Sequence, residues 1–201
     1  MGHYSPNLVL LAGPNGAGKS TAAPNLLGGE LRVSEFVNAD TIAQGLSAYS
    51  PETVSIEAGR VMLRRLRELS ARRVDFAFET TLASRSFAPW IGKLASDGYQ
   101  FRLLYLWLPS PDLCVARVLS RARWGGHRVP EQIVRRHYEA GLRNFFTLYR
   151  PLAVSWFFYD NTTEPSLVAE GKGPAVTVHN EVVWRTLEAR YRYDRRARAN
   201  D

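Results

Sequence analysis

The chain predicts an α/β fold, a parallel β-sheet covered by helices on both faces, on three observations. Short apolar runs alternate with helical patterns along its length, and that alternation pairs strands in parallel through right-handed crossovers. A glycine-rich loop, Gly13 to Ser20, joins the first strand pattern to the first helix pattern. Polar residues then follow the strands, at Asn38 to Thr41, Glu79 to Thr81 and Asp160-Asn161, where ligands bind in such sheets.

Asn7 to Ala12 reads as a buried strand because its apolar run ends at a glycine, and Lys19 to Leu27 as a helix stopped by Gly28-Gly29. Glu35 to Asn38 is a short strand, with a helix starting near Thr41. Pro51 to Arg73 repeats Val54, Ala58, Val61, Met62, Leu66 and Leu69 near the helical period, and Pro51 suits a first turn. Val74 to Phe78 is a strand and Ser86 to Ser96 a helix. Phe101 to Leu108 is the most strand-like run, followed by helices over Pro111 to Ala122 and Pro130 to Tyr149. Val154 to Tyr159 is expected as the last buried strand, and Glu181 to Tyr191 as the closing helix.

A length of 201 residues fits one domain, taken as residues 1–201. The hydrophobic fraction of 45%, with 11% aromatics, is too apolar for a disordered chain. No apolar stretch approaches the roughly 20 residues of a membrane span. A single cysteine, Cys114, excludes an internal disulfide, and the start carries no export signal, so the expected compartment is the cytoplasm. Cys114 lies among Leu113, Val115 and Val118 and reads as core, as do Trp107 and Trp156.

The formal charge of +7 invites a nucleic-acid reading, but its placement argues otherwise. A basic tail, residues 190–201, holds five arginines and two aspartates. Much of the rest lies at Arg117, Arg121, Arg123, Arg128, Arg135 and Arg136, around the glycines of Trp124-Gly125-Gly126-His127. Such a segment, about 117–136, fits a hinged lid whose guanidinium groups face phosphates. Arg117 and Arg128 are the expected functional members, and His127 is expected to be a loop residue.

Gly13-Pro14-Asn15-Gly16-Ala17-Gly18-Lys19-Ser20 matches G-x-x-x-x-G-K-[ST] between a strand and a helix, the phosphate loop (P-loop) of the P-loop NTPase fold. Glycines let backbone N–H groups turn in around a phosphate, and the helix N-terminus adds partial positive charge. Lys19 is then expected to reach the β- and γ-phosphates of ATP, Ser20 to ligate Mg²⁺, and Gly13 to Thr21 to form the nucleotide site. Asp40 follows the second strand, where a carboxylate can accept a proton from an acceptor hydroxyl. Asp40 also suits the N-cap of the next helix. Asn38, Glu79, Thr80 and Thr81 complete the expected acceptor side, with Glu79 either bonding acceptor hydroxyls or holding the Mg²⁺ hydration shell.

These residues together resemble the zeta-toxin family of P-loop kinases. The likeness rests on Gly13 to Thr21, Val37-Asn38-Ala39-Asp40, Ala58-Gly59-Arg60, Phe78-Glu79-Thr80-Thr81-Leu82, Gly125-Gly126-His127-Arg128-Val129-Pro130 and Tyr159-Asp160-Asn161. The resemblance implies a nucleoside-phosphate-kinase-like fold and an ATP- and Mg²⁺-dependent transfer to the 3′-hydroxyl of UDP-N-acetylglucosamine. It implies Asp40 as base, Lys19 on phosphate, Glu79 and Thr81 on the acceptor sugar, Arg117 and Arg128 as lid arginines, and an antitoxin protein as partner. Where plasmid-borne members carry an arginine after the Glu-x-Thr element, this chain has Ala83, with Arg85 two residues on. That departure bears on the acceptor more than on the reaction. A kinase for polynucleotide ends or another small metabolite, and a nucleotide-dependent binding module, are the alternatives.

Overall fold

The computed structural model describes residues 5–28, 33–123 and 129–192. Its strands are β1 (Asn7–Ala12), β2 (Phe36–Val37), β3 (Phe76–Thr80), β4 (Gln100–Trp107), β5 (Ser155–Asp160), β6 (Ser166–Lys172) and β7 (Ala175–Val178). Its helices are α1 (Lys19–Gly28), α2 (Ala39–Leu46), α3 (Ser55–Ala71), α4 (Phe87–Ser96), α5 (Pro111–Arg123), α6 (Glu131–Asn144) and α7 (Glu181–Arg192).

One sheet runs β2-β3-β1-β4-β5-β6-β7. The first five strands are parallel, as expected, and β1 lies among them with Leu8 to Ala12 fully buried. The path from β1 to β2 runs toward one edge, whereas the paths into β3, β4 and β5 run toward the other. Right-handed crossovers therefore put α1 on one face and the later crossover helices on the opposite face. The reversal of direction opens a crevice at the carboxyl end of β1.

Two strands follow the one expected to be last. Only residues 161–165 connect β5 to β6, too few for the crossover of a dozen or more that parallel pairing needs, so β6 returns antiparallel. The turn to β7 is Gly173-Pro174, with Gly173 at φ +56°. The long helix expected over Pro130 to Tyr149 also divides, ending at Asn144 and continuing as a π-helical turn, Phe145–Tyr149. That turn sends Phe145 against Tyr105 and Phe158, at ring separations of 5.0 and 5.2 Å. Trp184 of α7 stacks on Trp156 at 5.1 Å and closes this aromatic layer. Among the described residues, no helix is long and apolar enough to cross a membrane.

Candidate active site

The P-loop wraps the carboxyl end of β1, and its glycines are held there by close neighbours. Gly16 and Gly18 take φ of +82° and +80°. A Cβ on Gly16 would sit 2.7 Å from the Cys114 carbonyl oxygen, and one on Gly18 2.7 Å from Asn161 Nδ2. Side chains are excluded by conformation and by space.

Lys19, only 7% exposed, donates from Nζ to the Pro14 carbonyl at 3.0 Å and lies 3.6 Å from Glu79 Oε1. Glu79 comes from β3, where pairing with β1 sets it opposite Leu11. Its Oε2 accepts from Ser20 Oγ at 2.8 Å and from Asn38 Nδ2 at 2.7 Å. Of the two roles left open for Glu79, this geometry favours the metal and phosphate side. Ser20 and Glu79 offer adjacent hard oxygen donors at a helix N-terminus, a set that fits Mg²⁺ completed by phosphates and water.

Asn38 uses both ends of its amide within the protein. Its Oδ1 accepts from the backbone N–H of Asp40 at 2.8 Å and of Thr41 at 3.2 Å, so Asn38, not Asp40, caps α2. The helix begins two residues earlier than the expected start near Thr41, because Asn38 has the extended backbone (φ −132°, ψ 123°) that a cap requires. Asp40 is thereby placed in the first turn and lines the cleft. Its carboxylate is spared from capping.

Across the cleft, the turn that follows β3 is strained. Thr80 Oγ1 accepts from Leu82 N at 3.1 Å, and Thr81 Oγ1 from Ala83 N at 3.4 Å. Leu82 is buried at φ +60°, a conformation costing about 1–3 kcal/mol in a non-glycine residue. The surroundings hold it. Asn144 Nδ2 donates to the Leu82 and Ala83 carbonyls at 2.8 and 3.1 Å, and the Tyr149 hydroxyl donates to the Ser84 carbonyl at 2.6 Å.

Arg117 donates from its two terminal nitrogens to the carbonyls of Asn161 and Thr162 at 3.0 and 2.6 Å, fixing it beside the P-loop. Arg121, one helical turn on, is exposed, lines the same cleft and pairs with no acid among the described residues. Arg128 and His127 lie outside the described residues. The cleft uniting Lys19, Ser20, Asp40, Glu79, Thr81 and Arg117 has a volume of about 320 Å³.

Two supports were not foreseen. Asn161, expected among the polar residues that follow strands where ligands bind, is buried and donates from Nδ2 to the Ala17 carbonyl at 2.6 Å, tying the end of β5 to the P-loop. His137 of α6 places Nδ1 2.9 Å from Asn15 Oδ1. With an amide oxygen as partner, Nδ1 carries the proton. Burial, then the charges of Arg136 and Lys19, lower the pKa of His137 below its ordinary 6.5. Nothing along α6 except a histidine beside arginines signalled this contact. Cys114 is fully buried, and burial pushes its thiol up to about 12, as a core residue requires.

A family model described as an AAA domain (AAA_33) matches residues 8–148, which hold the P-loop, Asp40, Glu79, Arg117 and His137. The chain belongs to this AAA-domain family. The match ends before β5, so the strut Asn161 and the antiparallel hairpin lie beyond the part that the AAA domain covers.

An uncharacterized protein of Haemophilus influenzae is 26% identical over 130 residues, covering 65% of this chain and 91% of that protein. Among solved structures, the AvrRxo1-ORF1:AvrRxo1-ORF2 complex with sulphate ions superposes with a TM-score of 0.73 at 18% identity. That match covers 91% of this chain, which spans 63% of its counterpart; the same complex with ATP gives 0.71. The PezAT chromosomal toxin–antitoxin system of Streptococcus pneumoniae gives 0.68 at 18% identity, covering 92% of this chain and 79% of the other. These likenesses establish the P-loop fold, and they include a toxin–antitoxin structure as the zeta-toxin resemblance implies.

Proposed function

We propose that the protein is an ATP-dependent kinase acting on a hydroxyl of a small nucleotide-activated sugar, with UDP-N-acetylglucosamine the acceptor that the zeta-toxin resemblance implies. The observation carrying this reading is the convergence of two independent groups on one cleft. Lys19, Ser20 and Glu79 form a phosphate and metal side, while Asp40 and the Thr80-Thr81 turn form an acceptor side.

The P-loop amides and Lys19 hold the β- and γ-phosphates of ATP. Ser20 and Glu79 would hold Mg²⁺, which when bound would offset the charge of the phosphate oxygens. Asp40 orients the acceptor hydroxyl and takes its proton as the new O–P bond forms. The bond from the γ-phosphorus to the bridging oxygen breaks, and ADP leaves. Arg117, with Arg128 from the lid, stabilises charge on the transferring group. Residues 1–201 act in this proposal as one cytoplasmic catalytic unit, with an antitoxin-like protein as its regulator.

Incubation with ATP, Mg²⁺ and UDP-N-acetylglucosamine is expected to yield ADP and a sugar nucleotide heavier by one phosphoryl group, detected by mass spectrometry. Asp40→Ala should lower turnover by about 10²–10⁴-fold, the usual contribution of a general base, with ATP affinity retained. Full turnover in that variant would remove Asp40 from the mechanism.

A further inference from the structure

One contact of the P-loop reaches a helix that supplies none of the cleft's lining. Asn15, the third residue of the loop, lines the cleft, and its Oδ1 accepts from Nδ1 of His137 at 2.9 Å. The histidine is held in place by its neighbour. Tyr138 is buried, donates to the Leu108 carbonyl at 2.9 Å and accepts from Trp107 Nε1 at 3.1 Å. Those bonds fasten this turn of α6 to the end of β4, the strand paired with β1. His137 is thus a fixed post against which Asn15 sets the arch of the loop.

With the Nδ1 proton directed at Asn15, Nε2 is the atom left to take a second one. Among the described residues no hydrogen bond occupies it. Protonation at Nε2 keeps the Asn15 bond and makes it charge-assisted, hence stronger. The ring is half buried, and the charges acting on it are positive: Arg136 on its own helix and Lys19 on α1. The carboxylates of α5 and α6 are engaged elsewhere, Asp112 and Glu131 with Arg135, and Glu139 with Arg190 and Tyr191. On α5, Arg117 holds the Asn161 and Thr162 carbonyls, and Cys114 is a neutral thiol. The structure therefore favours the neutral ring. A triphosphate reverses the balance. Its oxygens take Lys19 from the Pro14 carbonyl and bring several negative charges into the loop. The field at the ring then favours the charged form.

We propose that His137 is a positioning residue of the nucleotide site, and that its ring takes up a proton from solvent when a nucleoside triphosphate enters the P-loop. The proposal rests on the nucleotide-binding reading of the loop and adds a proton-linked step to it. No bond of the nucleotide breaks in this step: a proton passes from water to Nε2 and returns when the nucleotide leaves. Nucleotide affinity accordingly rises as pH falls through the range in which the ring titrates.

The test follows the ring protons of the chain's four histidines by NMR across pH. Spectra are taken without nucleotide and at saturation with Mg²⁺ and a non-hydrolysable ATP analogue. The signal lost in His137→Asn belongs to His137. Without nucleotide it should titrate below 6.5, and with nucleotide its midpoint should rise by about one pH unit. An unchanged midpoint overturns the proposal. Should His137→Asn fail to fold, replacing His3, His127 and His179 in turn identifies the signal by elimination.

Calorimetry supplies a second readout. Wild-type affinity for the analogue should be roughly tenfold higher below the titration range than above it. His137→Asn, whose amide can still donate to Asn15, should keep the affinity at high pH and lose that gain. Comparing the two proteins cancels the ionisation of the nucleotide itself. His137→Leu, which removes the donor too, should bind about two- to tenfold more weakly even at high pH, as for loss of one hydrogen bond. Adding Asn15→Ala to it should weaken binding no further. Equal pH dependence in wild type and His137→Asn, or additive losses in the double variant, overturns the proposal. Analogue binding with an unmoved His137 midpoint keeps the nucleotide reading and rejects the proton uptake, whereas no binding at any pH rejects both.

Discussion

At the scale of single residues, Asn38 binds the two halves of the cleft together. One end of its amide starts the helix that carries Asp40, and the other holds Glu79 beside Ser20. Asn38→Ala loses a cap and leaves Glu79 short of a donor, and should cost about 1–2 kcal/mol in urea unfolding with a fall in kcat. Asn38→Asp separates the two functions. It keeps the cap but replaces the amide donor to Glu79 with a second carboxylate, so kcat should fall while α2 stays helical by circular dichroism. His137 makes a pH prediction. Its pKa is lower in the folded protein than the ordinary 6.5, so the unfolded chain binds the proton first. Stability is therefore full above about 6.5 and declines as pH falls through that value toward the folded pKa. His137→Gln should flatten thermal melting between those limits. The hold of Asn38 on Glu79 and of His137 on Asn15 was not legible in the sequence, because each contact joins segments brought together only by the sheet or by α6 packing. The P-loop was legible because its function is local: eight consecutive residues supply the turn, the amides, the lysine and the hydroxyl.

Among the elements, α6 governs the Thr81–Ala83 turn, and none of its residues lines the cleft. Gly141 lets it approach so closely that a Cβ there would lie 2.5 Å from the Thr81 carbonyl oxygen. Gly141→Ala must push the turn or the helix aside. The expected result is a raised acceptor KM with an unchanged ATP KM, and a stability loss of about 1–3 kcal/mol from overpacking. The strand content was legible unevenly, for a physical reason. Strands β1, β4 and β5 are largely buried and read as nearly continuous apolar runs. β7 is largely exposed, and β6 carries Glu170, Gly171 and Lys172. An edge strand such as β7 needs little hydrophobic signal, and only the Gly173-Pro174 pair between two short runs marked the hairpin.

For the whole molecule, an aromatic layer packs beside β4 and β5 and adds to the buried centre of the sheet. Trp184 seals it against Trp156, Phe158 and Phe146, and is 3% exposed. Trp184→Ala should destabilise the fold by about 3–5 kcal/mol in denaturant titration, with the ATP affinity of the remaining folded protein unchanged. The hairpin has a use that follows from its register. Lys172 lies opposite Ser155, the first residue of β5, so the exposed Gly173-Pro174 turn sits at the end of the sheet away from the cleft. The chain's one natural thiol is fully buried and held protonated. A cysteine placed at Pro174 would then be the sole reactive handle, through which the protein could be anchored to a sensor surface with its cleft facing the solution.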